Sequence, residues 1–205
     1  MKILWIGGWG CSAASTLQVA QQVCPAAEHE IVLPVSGCIG KIDTFSADAV
    51  VAYSTGAFLL SGAPQVFLTA KRVVLVSPFC DFRAESGRGG KTPTSKLRFL
   101  IKWLRRDPLA ALQDFYQRAG LGEPPTELPY TQEDLVWGIE QLATVAQPVQ
   151  TDCGAAMGHL TALVGGGDPL LDAELLRGDF PGLQIVQGAG HALTDFRKEL
   201  ADALR

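Results

Sequence analysis

Six short apolar runs, rich in β-branched residues, constrain the fold of this chain more than any other feature. They cover residues 3–6, 31–35, 50–53, 73–76, 160–164 and 183–186. Helical patterns are predicted between or after them at 12–23, 55–62, 172–177 and 194–204. Continuous apolar runs of this length that alternate with helices are typical of a parallel sheet covered on both faces. The sequence therefore predicts an α/β fold with a mostly parallel sheet.

The alternation stops after the fourth run, where residues 81–158 have helical patterns without a convincing strand. Gly- and Pro-rich loops divide this segment into three predicted helices near 94–106, 108–119 and 131–146, with Thr94 and Thr131 as N-caps. Ligands of open α/β sheets bind outside the carboxyl ends of the strands. We therefore expect a helical cap inserted after the fourth strand, within a single domain that spans residues 1–205.

Composition excludes several classes of protein. No segment approaches the roughly 20 apolar residues that cross a bilayer, and the first apolar run is too short for the ~7–15-residue core of a secretory signal. None of the five cysteines forms a zinc or redox pattern with its neighbours. These cysteines are Cys11, Cys24, Cys38, Cys80 and Cys153. The sequence predicts a cytoplasmic protein that needs no membrane, metal or cofactor.

The stretch "AYSTG" at residues 52–56 matches the small-x-Ser-x-Gly form of a nucleophile elbow, with Ser54 as the nucleophile. It directly follows an apolar strand and precedes a helical pattern, which is the structural context that this motif requires. Small residues two positions before and after the serine allow the strand and the helix to approach closely. The alternative is that Ser54 caps the N-terminus of the helix.

A serine hydroxyl needs a base within hydrogen-bond reach to act as a nucleophile. Of three histidines, His29 lies in a polar segment before a strand, where we expect it at the surface, and His159 precedes a strand. His191 follows the last apolar run in the loop "QGAGHAL", at the carboxyl end of a predicted strand. His191 is therefore the predicted base, although a structural histidine in a turn is an alternative.

The acid that orients the base is also expected after a strand. Asp168 follows the fifth run in "VGGGDP", and Asp172 and Asp81 are alternatives. An aspartate beside proline often serves a turn instead. The chain order Ser54, Asp168, His191 is, however, the order of the α/β-hydrolase triad. The sequence therefore predicts these three residues as a catalytic triad.

Two backbone amides are expected to hold the oxyanion of a tetrahedral intermediate, one directly after the nucleophile and one in an early loop. The first is the amide of Thr55, and the second is that of Trp9 in "GGWGCS", with Gly10 as the next choice. The same loop formally matches a dinucleotide fingerprint, Gly8-x-Gly10-x-x-Ala13. The acid that the fingerprint requires after the second strand is absent from "IVLPVSGC", and a bulky Trp between the glycines obstructs a pyrophosphate.

Seven basic residues and no acid occur between positions 88 and 106 of a chain whose net charge is −4. Helical spacing places Arg98, Lys102 and Arg105 on one face of a predicted cap helix, opposite an apolar face. This basic stripe, Arg98, Lys102 and Arg105, is either a solvated surface or a docking site. Nucleic acid is the weaker candidate partner, because the rest of the protein is acidic and stacking aromatic residues are few.

The segments "GGWGCSAAST", "AYSTGA", "GGGDPLL", "GAGHAL" and "EDLVWGIEQLATV" resemble the pimeloyl-acyl-carrier-protein methyl ester carboxylesterases of biotin synthesis, in the α/β-hydrolase superfamily. The resemblance spans most of the chain. It implies an α/β-hydrolase fold, with a sheet trimmed at its N-terminus because the chain starts at the strand before the Gly-Trp-Gly loop.

The resemblance implies hydrolysis of the methyl ester of a pimeloyl chain on an acyl carrier protein, through an acyl-enzyme on Ser54. It also gives the basic stripe a role in holding the acidic carrier. Two alternatives stay open at this point. One is an esterase or thioesterase of the same fold that acts on a small-molecule ester, and the other is a hydrolase-fold binding protein without catalysis.

Overall fold

A parallel six-stranded sheet forms the centre of the computed structural model, which describes residues 1–63, 69–148 and 160–205. The strands are β1 (Lys2–Ile6), β2 (Glu28–Val32), β3 (Ala49–Tyr53), β4 (Arg72–Val76), β5 (Leu160–Gly165) and β6 (Leu183–Val186). Their order is β2-β1-β3-β4-β5-β6, and every neighbouring pair is parallel. The predicted α/β fold is confirmed. All carboxyl ends meet at one edge of the sheet.

Helices connect these strands, as the alternating pattern predicts. In the described ranges they are α1 (Ala13–Val23), α2 (Cys38–Asp43), α3 (Thr55–Leu60), α4 (Thr94–Arg106), α5 (Pro108–Ala119), α6 (Gln132–Thr144), α7 (Ala173–Leu176) and α8 (Arg197–Ala203). The predicted last helix begins with a 3₁₀ turn at Leu193–Phe196 before α8. None of the described helices is long and apolar enough to cross a membrane.

The sheet is buried on both faces, which explains its continuous apolar strands. In β3 all five residues are buried, and successive side chains point to opposite faces. Val50 and Ala52 pack in the core that includes α2, α3 and the cap helices. Val51 and Tyr53 pack in a second core with α1 and α8. The site that follows β3 therefore starts from the most enclosed strand of the fold.

Two local predictions near the N-terminus are wrong. Strand β2 begins at Glu28, three residues before the predicted run, and His29 lies within it, half buried. The His29 ring accepts a hydrogen bond from the Trp5 indole at 3.1 Å, so this residue has a structural role. Because β2 is an edge strand, its burial alternates, and a search for continuous apolar runs misses its first half. Helix α2 (Cys38–Asp43) is absent from the predicted helices.

Helices α4, α5 and α6 lie between β4 and β5, where the helical insertion is predicted. We call residues 81–148 the cap; positions 149–158 of the predicted insertion, with Cys153 and His159, lie outside the described residues. Thr131 caps α6 as predicted, with its side chain accepting the Asp134 amide hydrogen bond. The prediction for Thr94 is wrong, because Pro93 precedes the helix and Thr94 binds the Glu85 carboxylate.

A close approach between α3 and β1 requires glycine at position 56. A Cβ there would lie 2.5 Å from the carbonyl oxygen of Ile6 and 2.6 Å from that of Gly7. Both contacts are with backbone atoms, which cannot turn away as a flexible side chain can. We expect Gly56→Ala to lower the free energy of unfolding by roughly 1–3 kcal/mol, the usual cost of overpacking.

Chemical denaturation of Gly56→Ala measures this effect, with Gly40→Ala as the matched control. Gly40 lies inside α2, and a Cβ there meets nothing within 4 Å. Gly40→Ala should therefore raise stability by roughly 0.5–1 kcal/mol through helix propensity. Equal effects of the two substitutions would contradict the steric explanation.

Candidate active site

Ser54 forms a sharp turn between β3 and α3 with φ 53° and ψ −116°. A positive φ is uncommon for a residue with a side chain, and such strained backbone costs of the order of 1–3 kcal/mol. The turn is held by the Ser54 amide, which donates to the Val76 carbonyl at 2.8 Å. The Ser54 hydroxyl makes no hydrogen bond that caps α3. The strain therefore presents this hydroxyl at the carboxyl edge of the sheet without using it for the helix.

The structure brings Ser54, His191 and Asp168 into one buried chain of hydrogen bonds. The Ser54 Oγ lies 3.0 Å from His191 Nε2, and His191 Nδ1 lies 2.6 Å from Asp168 Oδ2. All three residues are at least nine-tenths buried. A carboxylate only accepts, so Nδ1 carries the proton and Nε2 is left to accept from the serine hydroxyl. This is the arrangement that general-base activation of a serine requires.

Asp168 serves the turn and the histidine at once. Its Oδ1 accepts from the amides of Leu170 at 2.8 Å and Leu171 at 3.1 Å, while Oδ2 binds His191. The two possibilities raised by its position beside proline are therefore not exclusive. The turn bonds fix the carboxylate and direct its second oxygen toward the imidazole.

The two alternative acids are engaged elsewhere. Asp172 caps α7 through the amides of Glu174 and Leu175. Asp81 forms an ion pair with Arg83 at 2.6 Å. Burial opposes ionisation of Asp81, but the hydrogen bonds and charge of Arg83 outweigh it and lower the pKa of this carboxyl.

Two further residues, which sequence reasoning missed, hold the backbone of this site. The Tyr53 hydroxyl donates to the His191 carbonyl at 3.0 Å, and Lys91 Nζ donates to the Asp168 carbonyl at 2.9 Å. Burial raises the pKa of the Tyr53 phenol well above its ordinary value, so the hydroxyl keeps its proton. The position of Tyr53 beside Ser54 was the one available signal, because its contact spans 138 residues of sequence.

The loop after β1 lies beside Ser54 and contains the predicted oxyanion donor Trp9. In the described parts of the chain, the amides of Trp9 and Thr55 have no hydrogen-bond acceptor. The alternative donor, the Gly10 amide, is already bound to the Tyr130 hydroxyl at 2.6 Å. A Cβ at Gly8 would lie 2.6 Å from the Tyr53 ring. The loop is therefore packed against protein where the dinucleotide alternative would need space for a pyrophosphate.

Two neighbouring cavities lie at the carboxyl edge of the sheet. The cavity at Ser54 and His191 has a volume of about 10 Å³, and its cap side is apolar. The cap residues that line it are Phe82, Phe115, Leu121, Ile139 and Leu142. The neighbouring cavity measures about 350 Å³ and shares Tyr53 and Leu121 with the first. Ser54 therefore faces a nearly filled chamber beside a much larger one.

The basic stripe lies on α4, and its three members differ in their contacts. Arg105 forms an ion pair with Glu140 of α6 at 2.7 Å. Arg98 and Lys102 are exposed, and neither forms an ion pair within the described residues. Phe99, between them in sequence, is 61% exposed and contacts Trp103 edge to face.

In the described ranges, no group of three or more His, Cys, Asp or Glu residues could hold a metal ion.

Comparison with solved structures identifies the fold. An esterase from Exiguobacterium antarcticum matches with a TM-score of 0.71 and 12% identity, covering 100% of this chain and 90% of that one. A carboxylesterase structure from Nitrososphaera gargenis gives 0.70 and 14%, with 99% and 88% covered. A thermophilic esterase from Thermogutta terrifontis gives 0.69 and 12%, with 100% and 88% covered. No protein-family model and no curated protein matches. The chain has the α/β-hydrolase fold.

The hydrogen bond from Tyr53 to the His191 carbonyl yields a stability prediction. Tyr53→Phe leaves that buried carbonyl without its donor, which usually costs about 1–3 kcal/mol. We expect the free energy of unfolding to fall by this amount in chemical denaturation. The control is Thr44→Val, which removes an exposed hydroxyl bonded to the Gly40 carbonyl and should change stability by less than about 0.5 kcal/mol. A Tyr53→Phe variant as stable as this control would contradict the prediction.

Proposed function

We propose that this protein is a serine hydrolase that cleaves carboxylic esters through an acyl-enzyme on Ser54. The observation that carries the proposal is the continuous hydrogen-bonded chain from Ser54 through His191 to Asp168. A strained serine whose hydroxyl meets the free nitrogen of an oriented histidine has the geometry of an activated nucleophile. The esterases among the structural neighbours share this fold and support the same reaction class.

In the proposed reaction, Ser54 Oγ attacks the ester carbonyl carbon while His191 Nε2 takes the hydroxyl proton. Asp168 stabilises the imidazolium that forms, and the amides of Trp9 and Thr55 bind the oxyanion. His191 then protonates the departing alcohol, which leaves the acyl group on Ser54. Water, deprotonated by His191, attacks this acyl-enzyme and releases the acid. Each oxyanion donor contributes about 10²- to 10³-fold to such a rate.

The two cavities suggest how the substrate is held. A volume of about 10 Å³ holds roughly one water molecule, so the chamber at Ser54 has no room for a substrate beyond its reacting carbonyl. The adjoining cavity of about 350 Å³ falls in the ~300–1,000 Å³ range of small-molecule sites. We propose that the rest of the substrate lies there, in contact with Leu121 and Tyr53, which line both cavities.

The finer hypothesis is a pimeloyl-type methyl ester carried on an acyl carrier protein. Its support is the sequence resemblance together with Arg98 and Lys102, whose exposed charges are available to an acidic carrier. Arg105 is a weaker contributor, because its ion pair with Glu140 would compete with a carrier. An esterase or thioesterase that acts on a small molecule is the alternative, and cytoplasmic location stays a prediction of the sequence.

The geometry of the site gives less support to the hypothesis of a hydrolase-fold binding protein without catalysis. A binding role needs neither the strained backbone at Ser54 nor a histidine whose free nitrogen lies 3.0 Å from its hydroxyl. Backbone strain of this kind persists only where the surrounding structure maintains it, and it concentrates at functional positions.

Removal of the nucleophile tests the proposal. The wild type should hydrolyse a short p-nitrophenyl ester and bind a serine-directed phosphonate covalently at Ser54, and Ser54→Ala should lose both. Ser77→Ala is the matched control, because Ser77 also follows a strand with positive φ and is buried. Mass spectrometry of that variant should still find the label on Ser54. If the wild type neither hydrolysed the ester nor bound the phosphonate at Ser54, the proposed enzymatic activity would be refuted.

Charge reversal tests the carrier hypothesis. Arg98→Glu with Lys102→Glu should raise KM for a carrier-bound methyl ester at least tenfold, because two attractive contacts with an acidic carrier become repulsive. A tenfold change corresponds to about 1.4 kcal/mol of binding free energy. The kcat/KM for a p-nitrophenyl ester should stay unchanged. The control is Arg177→Glu, an exposed arginine on α7's C-terminal side that pairs with Glu174. Equal activity of both variants on the carrier substrate would exclude docking through the stripe.

A further inference from the structure

The loop that carries Trp9 is a tight turn whose shape depends on one peptide unit. The Cys11 amide donates to the Gly8 carbonyl at 3.2 Å, and Gly10 has φ 75°. Among the described non-glycine residues, only Ser54 and Ser77 have positive φ, so Trp9 does not. The hydrogen bond and the signs of φ match a type II turn with Gly10 at its third position. Because the Gly8 carbonyl points into the turn, the trans peptide directs the Trp9 N–H outward.

Three contacts from the cap hold this turn. Gly10 donates its amide hydrogen to the Tyr130 hydroxyl at 2.6 Å and accepts at its carbonyl from the Tyr116 hydroxyl at 3.0 Å. The Trp9 indole donates to the Leu135 carbonyl at 2.9 Å. The partners come from α5, from α6 and from the residue that precedes Thr131, at separations of 106 to 126 residues. The turn is thus bonded to the cap through both of its central residues.

The Tyr130 contact anchors the peptide unit next to the one that carries the Trp9 N–H. Type I and type II turns differ by rotation of the central peptide unit, here the one that joins Trp9 to Gly10. Glycine at the third position tolerates both forms, because it adopts either sign of φ. The amide that binds Tyr130 belongs to that central unit. Loss of the hydrogen bond would release this unit, while the Trp9 N–H belongs to the adjoining Gly8–Trp9 unit, whose carbonyl stays bonded to Cys11. The Trp9 N–H would therefore keep its direction but lose the anchor that holds it at a fixed distance from Ser54.

We propose that Tyr130 is a positioning residue for the oxyanion hole, fixing the turn in which the Trp9 amide faces the reacting carbonyl. The inference rests on the esterase function proposed above. Tyr130 lines neither of the two cavities, so it has no contact with the space assigned to the substrate. The cap then helps to complete the catalytic site as well as covering it.

Tyr130→Phe tests this role, because it removes only the hydroxyl. We expect kcat for a p-nitrophenyl ester to fall about 10- to 100-fold, short of the ~10²- to 10³-fold cost of losing an oxyanion donor outright. KM should stay within about twofold, since the effect is on the transition state. The rate is expressed per active site, counted by phosphonate labelling of Ser54. The affinity for a boronic acid that forms a tetrahedral adduct with Ser54 should fall by the same factor as kcat.

Thr144→Val serves as the matched control, since it removes another cap hydroxyl, on α6, bonded to the Glu140 carbonyl and exposed. It should keep wild-type kcat and boronate affinity. Wild-type values in Tyr130→Phe would overturn the proposal, and so would a loss confined to the number of labelled sites. A wild type that neither turns over the ester nor binds the phosphonate would overturn the proposed function and this role together. An active wild type beside an unaffected Tyr130→Phe overturns the positioning role alone.

Discussion

The strained backbone at Ser54 is the constraint on which the rest of the site depends. A residue with φ 53° is stable only if its surroundings fix both sides of the turn. The hydrogen bond from the Ser54 amide to Val76 fixes it toward β4, and the close packing of Gly56 on Ile6 fixes it toward β1. Strand β3 lies between these two neighbours and is buried along its whole length. The centre of the sheet thus supplies the rigidity that a strained turn needs.

The parallel alignment of the strands brings the strained turn at Ser54 together with the other residues of the site. Because every described strand runs in the same direction, the loops after β1, β3, β5 and β6 emerge at one edge. Trp9, Ser54, Asp168 and His191 occupy those four loops in turn. The hydrogen bond between Ser54 and His191 joins residues 137 positions apart, and no local structure could bring them together. The order of the strands in the sheet therefore brings segments that are distant in sequence together at one site.

The sequence predicted those features whose signal is local. A continuous apolar strand followed by a polar residue indicates a carboxyl-end position, as at Ser54, Asp168 and His191. Contacts that depend on packing left no such signal: Tyr130 meets Gly10 across 120 residues, and Lys91 meets Asp168 across 77. The start of edge strand β2 is predicted too late for a related reason, since two of its five residues, Glu28 and Glu30, face solvent and interrupt the apolar run.

The contacts between cap and turn also bear on how a substrate enters. The Trp9 indole is bonded to Leu135, and its ring fits against Gly138, where a Cβ would lie 2.5 Å away. Helix α6 and the turn after β1 are therefore packed as one unit, and movement of α6 alone would disturb the predicted oxyanion donor. The larger cavity, which lies against Leu121 and the N-terminus of α1, requires no such movement. We therefore expect the ester to approach Ser54 from that side, with α6 in place throughout the reaction.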